Sequence, residues 1–192
     1  MMDDNGYSLT EILVVLAIFA ALAVVGLPVA HAFLNEWGLL GSARLFKGEF
    51  LRARSMAAKT GVQTAIRFEP CAAGSCISVY RDGNRNGVLS ADILAGKDVR
   101  VSGPVPLDGR APRVRVGVLP GVPSMPPDTE PLDPANPIRF GRSAMVSFSP
   151  LGTATPGTFY LAARGTQAGV RVTGGSARVR VMIWRGGVWR ER

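Results

Sequence analysis

Residues 12–30 form an unbroken apolar run without a single Asp, Glu, Lys or Arg, and one carboxylate, Glu11, stands at its head. Wound as an α-helix at ~1.5 Å per residue, such a run is about as long as the ~30 Å hydrocarbon layer of a bilayer is thick. The segment therefore reads as a membrane-spanning helix, and any globular fold has to be built from the residues C-terminal to it. Pro28 lies inside the run, where it is expected to kink the helix or melt it locally.

An ordinary secretory signal carries basic residues before its apolar stretch and a small-residue cleavage site after it. Here the leader is Met1-Met2-Asp3-Asp4-Asn5-Gly6, and no clean cleavage site comes after Ala30. A cut after Gly6 would instead leave Tyr7 as the new N-terminus and keep the apolar helix in the mature chain. Glu11 gives that reading its chemistry. An acidic group costs about 2.5–3.5 kcal/mol at the bilayer centre, less toward the interface, and normally has a partner. No cation lies within a helical turn of Glu11, whereas cleavage would create an ammonium on Tyr7.

Gly6-Tyr7-Ser8-Leu9-Thr10-Glu11-Ile12-Leu13-Val14-Val15-Leu16-Ala17-Ile18-Phe19 resembles the processing and assembly signal of type IV pilins and pseudopilins. The resemblance implies cleavage after Gly6 by a membrane-embedded prepilin peptidase and N-methylation of Tyr7. It also implies a single pass through the bacterial inner membrane with the C-terminal domain in the periplasm, and partners that are other pilins or pseudopilins. Glu11 would then meet the N-terminal amine of a neighbouring subunit as helices stack into a filament. A proline twenty-two residues into the mature chain, here Pro28, recurs in the family. The leader departs from the family in carrying Asp3 and Asp4 where Lys or Arg is usual, so the positive-inside rule gives it no help in setting orientation.

Beyond the membrane the helical period continues. Phe33, Trp37, Leu40, Ala43, Phe46, Phe50, Ala53 and Ala57 recur at steps of three and four, with Glu36, Arg44, Lys47, Arg52 and Lys59 between them. Thr60-Gly61 is expected to end the helix, the glycine taking a left-handed C-terminal conformation. The pattern then turns to alternation at Val62, Thr64, Ile66 and Phe68, with a hairpin partner at 77–80. Further short strands are expected at 99–101, 113–118, 138–140, 144–148, 158–162, 169–173 and 177–184. Residues 120–137 hold seven prolines and read as a long surface loop. No second helix is expected. The fold class is α+β: a long N-terminal transmembrane and amphipathic helix packed on a C-terminal antiparallel β-sheet domain. The chain divides into a leader at 1–6, a membrane segment at 7–30, an amphipathic continuation at 31–61 and a β-rich domain at 62–192.

A long N-terminal helix succeeded by strands alone resembles the GspH/FimT family of minor pilins. The residues that carry this are Leu51-Arg52-Ala53-Arg54-Ser55-Met56-Ala57, Val146-Ser147-Phe148-Ser149-Pro150-Leu151-Gly152 and Ala177-Arg178-Val179-Arg180-Val181. The resemblance implies the H-type minor pseudopilin of type II secretion. Its rival is a FimT-like minor pilin that serves pilus biogenesis or DNA uptake.

Cys71 and Cys76, the only cysteines, flank a tight loop with Gly74 near its centre. In the pilin orientation they lie outside the cytoplasm, where disulfides persist, and they are expected to form one. Two thiolates and the distant His31 do not complete a zinc site. His31 itself sits at the membrane exit, where an interfacial imidazole is ordinary. Asp82, Asn84 and Asn86, with Gly87 next, match the opening of a calcium loop, but Asp92 stands at the eleventh place instead of the twelfth and Arg85 adds a positive charge. A turn between strands uses the same residues, so both a Ca2+ site and a plain turn stay open.

No nucleophile elbow, phosphate-cradling loop or catalytic set appears, so an enzyme is not expected. Net charge is +8, with 22 Lys and Arg against 14 Asp and Glu. That excess permits acidic partners without choosing one. The run Arg171, Arg178, Arg180, Arg185, Arg190 and Arg192, with Trp184 and Trp189 as exposed aromatics, has the composition of a DNA-binding surface. DNA-uptake members of the resembled family carry Gly-Arg-x-Arg near here; this chain has Ala177-Arg178-Val179-Arg180. DNA contact by Arg178 and Arg180 stands against a simpler strand whose arginines face solvent while Val179, Val181 and Ile183 face the core.

Overall fold

The computed structural model describes residues 8–72, 74–107 and 114–192, without the side chains of residues 28, 29 and 32. The chain divides into two units, Met1–Leu34 and Asn35–Arg192. One helix, α1 (Leu9–Thr60), contributes to both. Its helical backbone runs through position 28, so Pro28 does not melt it.

Within the first unit the apolar stretch Leu9–Leu27 is long enough to cross a bilayer and has none of its residues buried. The carbonyl of Ser8 accepts the amides of Glu11 and Ile12, at 3.0 and 3.2 Å. Glu11 thus lies in the first turn of the helix, where the unpaired amides favour a carboxylate.

The second unit begins on α1 itself and takes residues 35–60 of the helix together with the strands. The buried stripe is Leu39, Ala43, Phe46, Phe50, Ala53 and Ala57, all at most 1% exposed and separated by alternating steps of four and three. That period keeps one face of a 3.6-residue helix inward. The expected stripe is corrected at its start. Phe33 and Trp37 are exposed while Leu39 is fully buried, so the face that enters the core is set by the residues from Leu39 onward. The helix ends at Thr60, and Gly61 comes next with φ +68° and donates its amide to the Ala57 carbonyl at 3.0 Å.

Beyond the helix, the described residues form ten strands: β1 (Thr64–Cys71), β2 (Gly74–Arg81), β3 (Val99–Pro106), β4 (Arg115–Val116), β5 (Ile138–Arg139), β6 (Met145–Phe148), β7 (Gly157–Ala163), β8 (Thr166–Val172), β9 (Val179–Arg185) and β10 (Val188–Glu191). A short helix, α2 (Ser90–Leu94), stands between β2 and β3. The expectation of no second helix is thereby corrected; five residues are too few to show a helical period. The strands make two antiparallel sheets, ordered β3-β2-β1-β6 and β10-β9-β8-β7-β4, with β5 also on β7.

Aromatic rings join α1 to both sheets. Phe46 meets Phe159 of β7 edge-on at 5.1 Å, and Phe50 meets Phe140 at 5.9 Å and Phe68 of β1 at 6.4 Å. Phe68 and Phe140 stack at 5.6 Å. Each ring buries a large apolar area, and edge-to-face pairs add about 0.5–1.5 kcal/mol beyond it. Val179, Val181 and Ile183 of β9 point into this core.

The opposite face of the larger sheet carries a second cluster, in which Val118, Val122 and Met125 pack on Tyr160 and Trp189. The proline-dense segment is therefore not merely a surface loop. Its prolines keep it from pairing as a strand, while the apolar residues between them strap it across the sheet. The Met125 amide donates to the Tyr160 hydroxyl at 3.2 Å, the Leu119 amide to Gln167 Oε1 at 2.7 Å, and Trp189 Nε1 to the Pro123 carbonyl at 3.1 Å.

Candidate assembly site and arginine surface

Gly6 and Tyr7, the expected processing residues, lie outside the described residues. Glu11 lies on the apolar helix beside Ile12, Val15, Leu16 and Phe19, which line one shallow groove with it. Every other side chain of that groove is apolar, so the carboxylate is its single point of charge.

Cys71 and Cys76 are joined across the end of the β1–β2 hairpin, with sulfurs 2.03 Å and Cα atoms 5.8 Å apart. Pairing of Cys71 with Gly74 and of Glu69 with Cys76 fixes the register that brings them together.

Asp82, Asn84, Asn86 and Asp92 do converge, with Asp98 added to them. Asp82 accepts the backbone amides of Asn84, Arg85 and Gly87 at 3.0, 2.7 and 2.8 Å. Asp98 accepts those of Gly83 and Leu89 at 3.1 and 3.0 Å. Asp92 accepts the side-chain amides of Asn86 and Asn84 at 2.8 and 3.2 Å, with Lys97 Nζ 3.5 Å away. The amides of Asn86 and Asn84 are the main reason its carboxyl is held below the ordinary range, and Lys97 adds to it. The carboxylates thus meet N–H donors, which is how a turn secures its backbone. A cation would need the same oxygens, and among the described residues no group of three His, Cys, Asp or Glu is placed to hold one. Asp98 escapes the loop pattern in the sequence, because it lies past the loop on the approach to β3.

The arginines separate into different environments. Arg171 is 13% exposed and grips Asp128 of the strap, so the expectation that it faces a polyanion is corrected. Hydrogen bonding from Arg171 is the main reason the Asp128 carboxyl lies below its usual range. Arg178 and Arg180 share Glu191 of β10, at 3.4 and 3.8 Å. Arg185 reaches Glu36 of α1 at 2.8 Å. The aromatics are likewise not a stacking platform. Trp189 is buried, Trp184 is half-buried, and their rings are 5.7 Å apart. The expectation of exposed tryptophans fails because it does not include β10, whose pairing turns Trp189 inward onto Tyr160, 6.2 Å away.

The family described as the prokaryotic N-terminal methylation motif matches residues 1–27. That match, together with the α+β layout and the exposed apolar helix, supports a type IV pilin-like protein. It is consistent with a single-pass protein of the inner membrane, and implies other pilins and a prepilin peptidase as the kinds of partner. It points to a structural protein rather than an enzyme. No curated protein and no solved structure matches the chain.

Proposed function

We propose that the chain is a minor pseudopilin, the H-type component of a type II secretion system. In this reading the peptidase removes residues 1–6, Tyr7 is methylated, and the apolar helix leaves the bilayer for a bundle of like helices. The β-rich domain then stands in the periplasm, where an oxidising environment suits the bond between Cys71 and Cys76. The observation that carries the assembly reading is an apolar helix with no buried residue over Leu9–Leu27, carrying Glu11 near its start. Such a surface is stable in lipid or against other helices, and the transfer between them needs the one charge to find a counter-charge.

Secretion is preferred to DNA uptake because most of the side chains expected to read DNA are engaged within the fold, Arg190 and Arg192 excepted. Arg178 and Arg180 share one carboxylate, Arg171 is held in the strap, and Trp189 is buried. The test begins with co-expression alongside a prepilin peptidase and measurement of the intact mass, where loss of residues 1–6 and a methylated Tyr7 are expected. Deletion in the native host should then leave secreted enzymes in the periplasm with DNA uptake unchanged. An uncut N-terminus would remove the pilin reading, and loss of transformation with normal secretion would exchange the two assignments.

A further inference from the structure

Glu36 is the first formally charged side chain after Glu11, residues 12–35 containing no Asp, Glu, Lys or Arg. It lies nine residues past Leu27, the end of the membrane-length stretch, a tether of ~14 Å as helix and ~30 Å at most if extended. Its neighbour Trp37 is 56% exposed, and an exposed Trp just past an apolar span is the residue type that settles at headgroup level.

The end of the larger sheet is built around this same residue. Gly186 and Gly187, at φ +59° and +83°, make the two-residue turn that folds β10 back on β9. Pairing of Arg185 with Val188 and of Ile183 with Arg190 puts Arg190 on the sheet face that Ile183 shares with the helix side. Arg192 lies two residues further along the same face. Glu36, Ile183, Arg185, Gly186, Arg190 and Arg192 line one cleft of about 200 Å³. Glu36 is the single acidic side chain in it, and it is taken by Arg185 at 2.8 Å. Arg190 and Arg192 are exposed and have no ion-pair partner among the described residues. The cleft therefore holds two uncompensated guanidinium groups, each a planar fork that matches phosphate oxygens.

We propose that this cleft docks on anionic phospholipid headgroups, seating the globular unit on the membrane surface before the helix is drawn into a filament. The inference rests on the membrane-anchored reading of the apolar helix and adds the ligand class and the residues. Each basic side chain near an anionic surface strengthens binding about fivefold, so Arg190 and Arg192 together account for roughly 25-fold.

The test uses the full chain reconstituted in vesicles of phosphatidylcholine, with or without phosphatidylglycerol, each containing a lipid that is photoreactive at its headgroup. Mapping by mass spectrometry should find the residue 185–192 region labelled about tenfold more in the anionic vesicles. That preference should disappear in the Arg190→Gln, Arg192→Gln variant, which breaks no ion pair and so leaves the fold intact. Equal labelling in neutral vesicles, or undiminished labelling in the variant, overturns the proposal. So does loss of labelling to inorganic phosphate at matched ionic strength, which would make the cleft a site for free anions, or to duplex DNA, which would make it a nucleic-acid site. Flotation with the vesicles separates the two levels. A chain that floats but labels without regard to charge refutes the headgroup site alone, and one that does not float refutes the anchor.

Discussion

Arg171 holds Asp128 with both arms of its guanidinium, Nη2 to Oδ1 at 2.8 Å and Nη1 to Oδ2 at 2.9 Å, across 43 positions of sequence. Arg171 Nη1 also donates to the Met125 carbonyl at 3.2 Å, so one side chain of β8 secures the strap at two places. This pair fastens the second apolar cluster, since Met125 and Val122 reach Tyr160 and Trp189 only while the strap lies on the sheet.

Asp128→Ala should accordingly cost about 1–3 kcal/mol, the range for leaving a largely buried charged donor without its acceptor. The lower part of the range is expected, because Asp128 is about a third exposed. Since its carboxyl is held below the usual range in the folded state, its contribution is complete above the unfolded value of ~3.9 and is lost as pH falls through the lower folded value. Thermal unfolding of the full chain in detergent, measured at neutral pH and near pH 3, should show a smaller acid loss in Asp128→Asn than in the wild type. An equal acid loss in both would remove Asp128 from the account.

Ala177 is fully buried with φ +46°, a left-handed conformation that costs a residue with a Cβ about 1–2 kcal/mol. The resembled Gly-Arg-x-Arg motif has glycine at this place, and the backbone supplies a physical reason for it. Ala177→Gly relieves the strain but loses a buried methyl worth ~0.8 kcal/mol, so its net effect should stay within about 1 kcal/mol. Ala177→Val keeps the strain and adds bulk in a packed core, and should cost about 2 kcal/mol or more. Unfolding midpoints of the two variants decide this, and a tolerated valine would show that the backbone at 177 is not left-handed.

The helix is legible in the sequence because burial tracks its period: Ala43, Phe46, Phe50, Ala53 and Ala57 fall on one face by spacing alone, while Leu39 and the polar Asn35 and Ser42 are buried outside the pattern. At Phe33 and Trp37, which are exposed, periodicity overruns the core. Strands that alternate, such as β1 and β9, are equally readable. β10 is harder to see although Gly186-Gly187 is a hairpin signal, since only four residues separate that turn from the end of the strand. The partners of the arginines are not legible at all. Arg185 and Glu36 are 149 positions apart, and Arg171 and Asp128 are 43 apart; no local rule selects one carboxylate for one guanidinium over such distances. The strap is hidden for another reason, in that proline content announces the absence of a strand and says nothing about what the apolar residues between the prolines cover.

Glu11→Ala should leave insertion and cleavage intact while incorporation into filaments fails. Removing the carboxylate makes the helix easier to keep in lipid and takes away the acidic partner for a neighbour's N-terminal amine. Site-specific cross-linking to partner pilins should fall to background in Glu11→Ala and recover little in Glu11→Gln, which restores shape without charge. Unaltered cross-linking in the alanine variant would remove the registration role.

Arg178 and Arg180 decide between secretion and DNA uptake, and their shared carboxylate makes the contrast measurable. Glu191 lies 3.4 Å from Arg178 and 3.8 Å from Arg180, and Arg178 is 65% exposed. An exposed pair of this kind is worth about 0–1 kcal/mol, enough to compensate charge but too weak to hold the arginines against a strong competitor. The wild-type chain should therefore bind duplex DNA only at the non-specific level of roughly 10⁻⁴–10⁻⁶ M at physiological salt. Arg178→Ala with Arg180→Ala should lower this by about tenfold or less, and Glu191→Gln should raise it slightly by freeing both guanidinium groups. Ala177→Gly should not raise it, because the glycine relieves strain at a backbone that is already left-handed and leaves Glu191 in place. Gel-shift titrations at two salt concentrations, with circular dichroism of each variant, test all of this together. Binding well below 10⁻⁶ M that falls steeply with salt and vanishes in the folded double variant would make DNA uptake the function and secretion the wrong assignment.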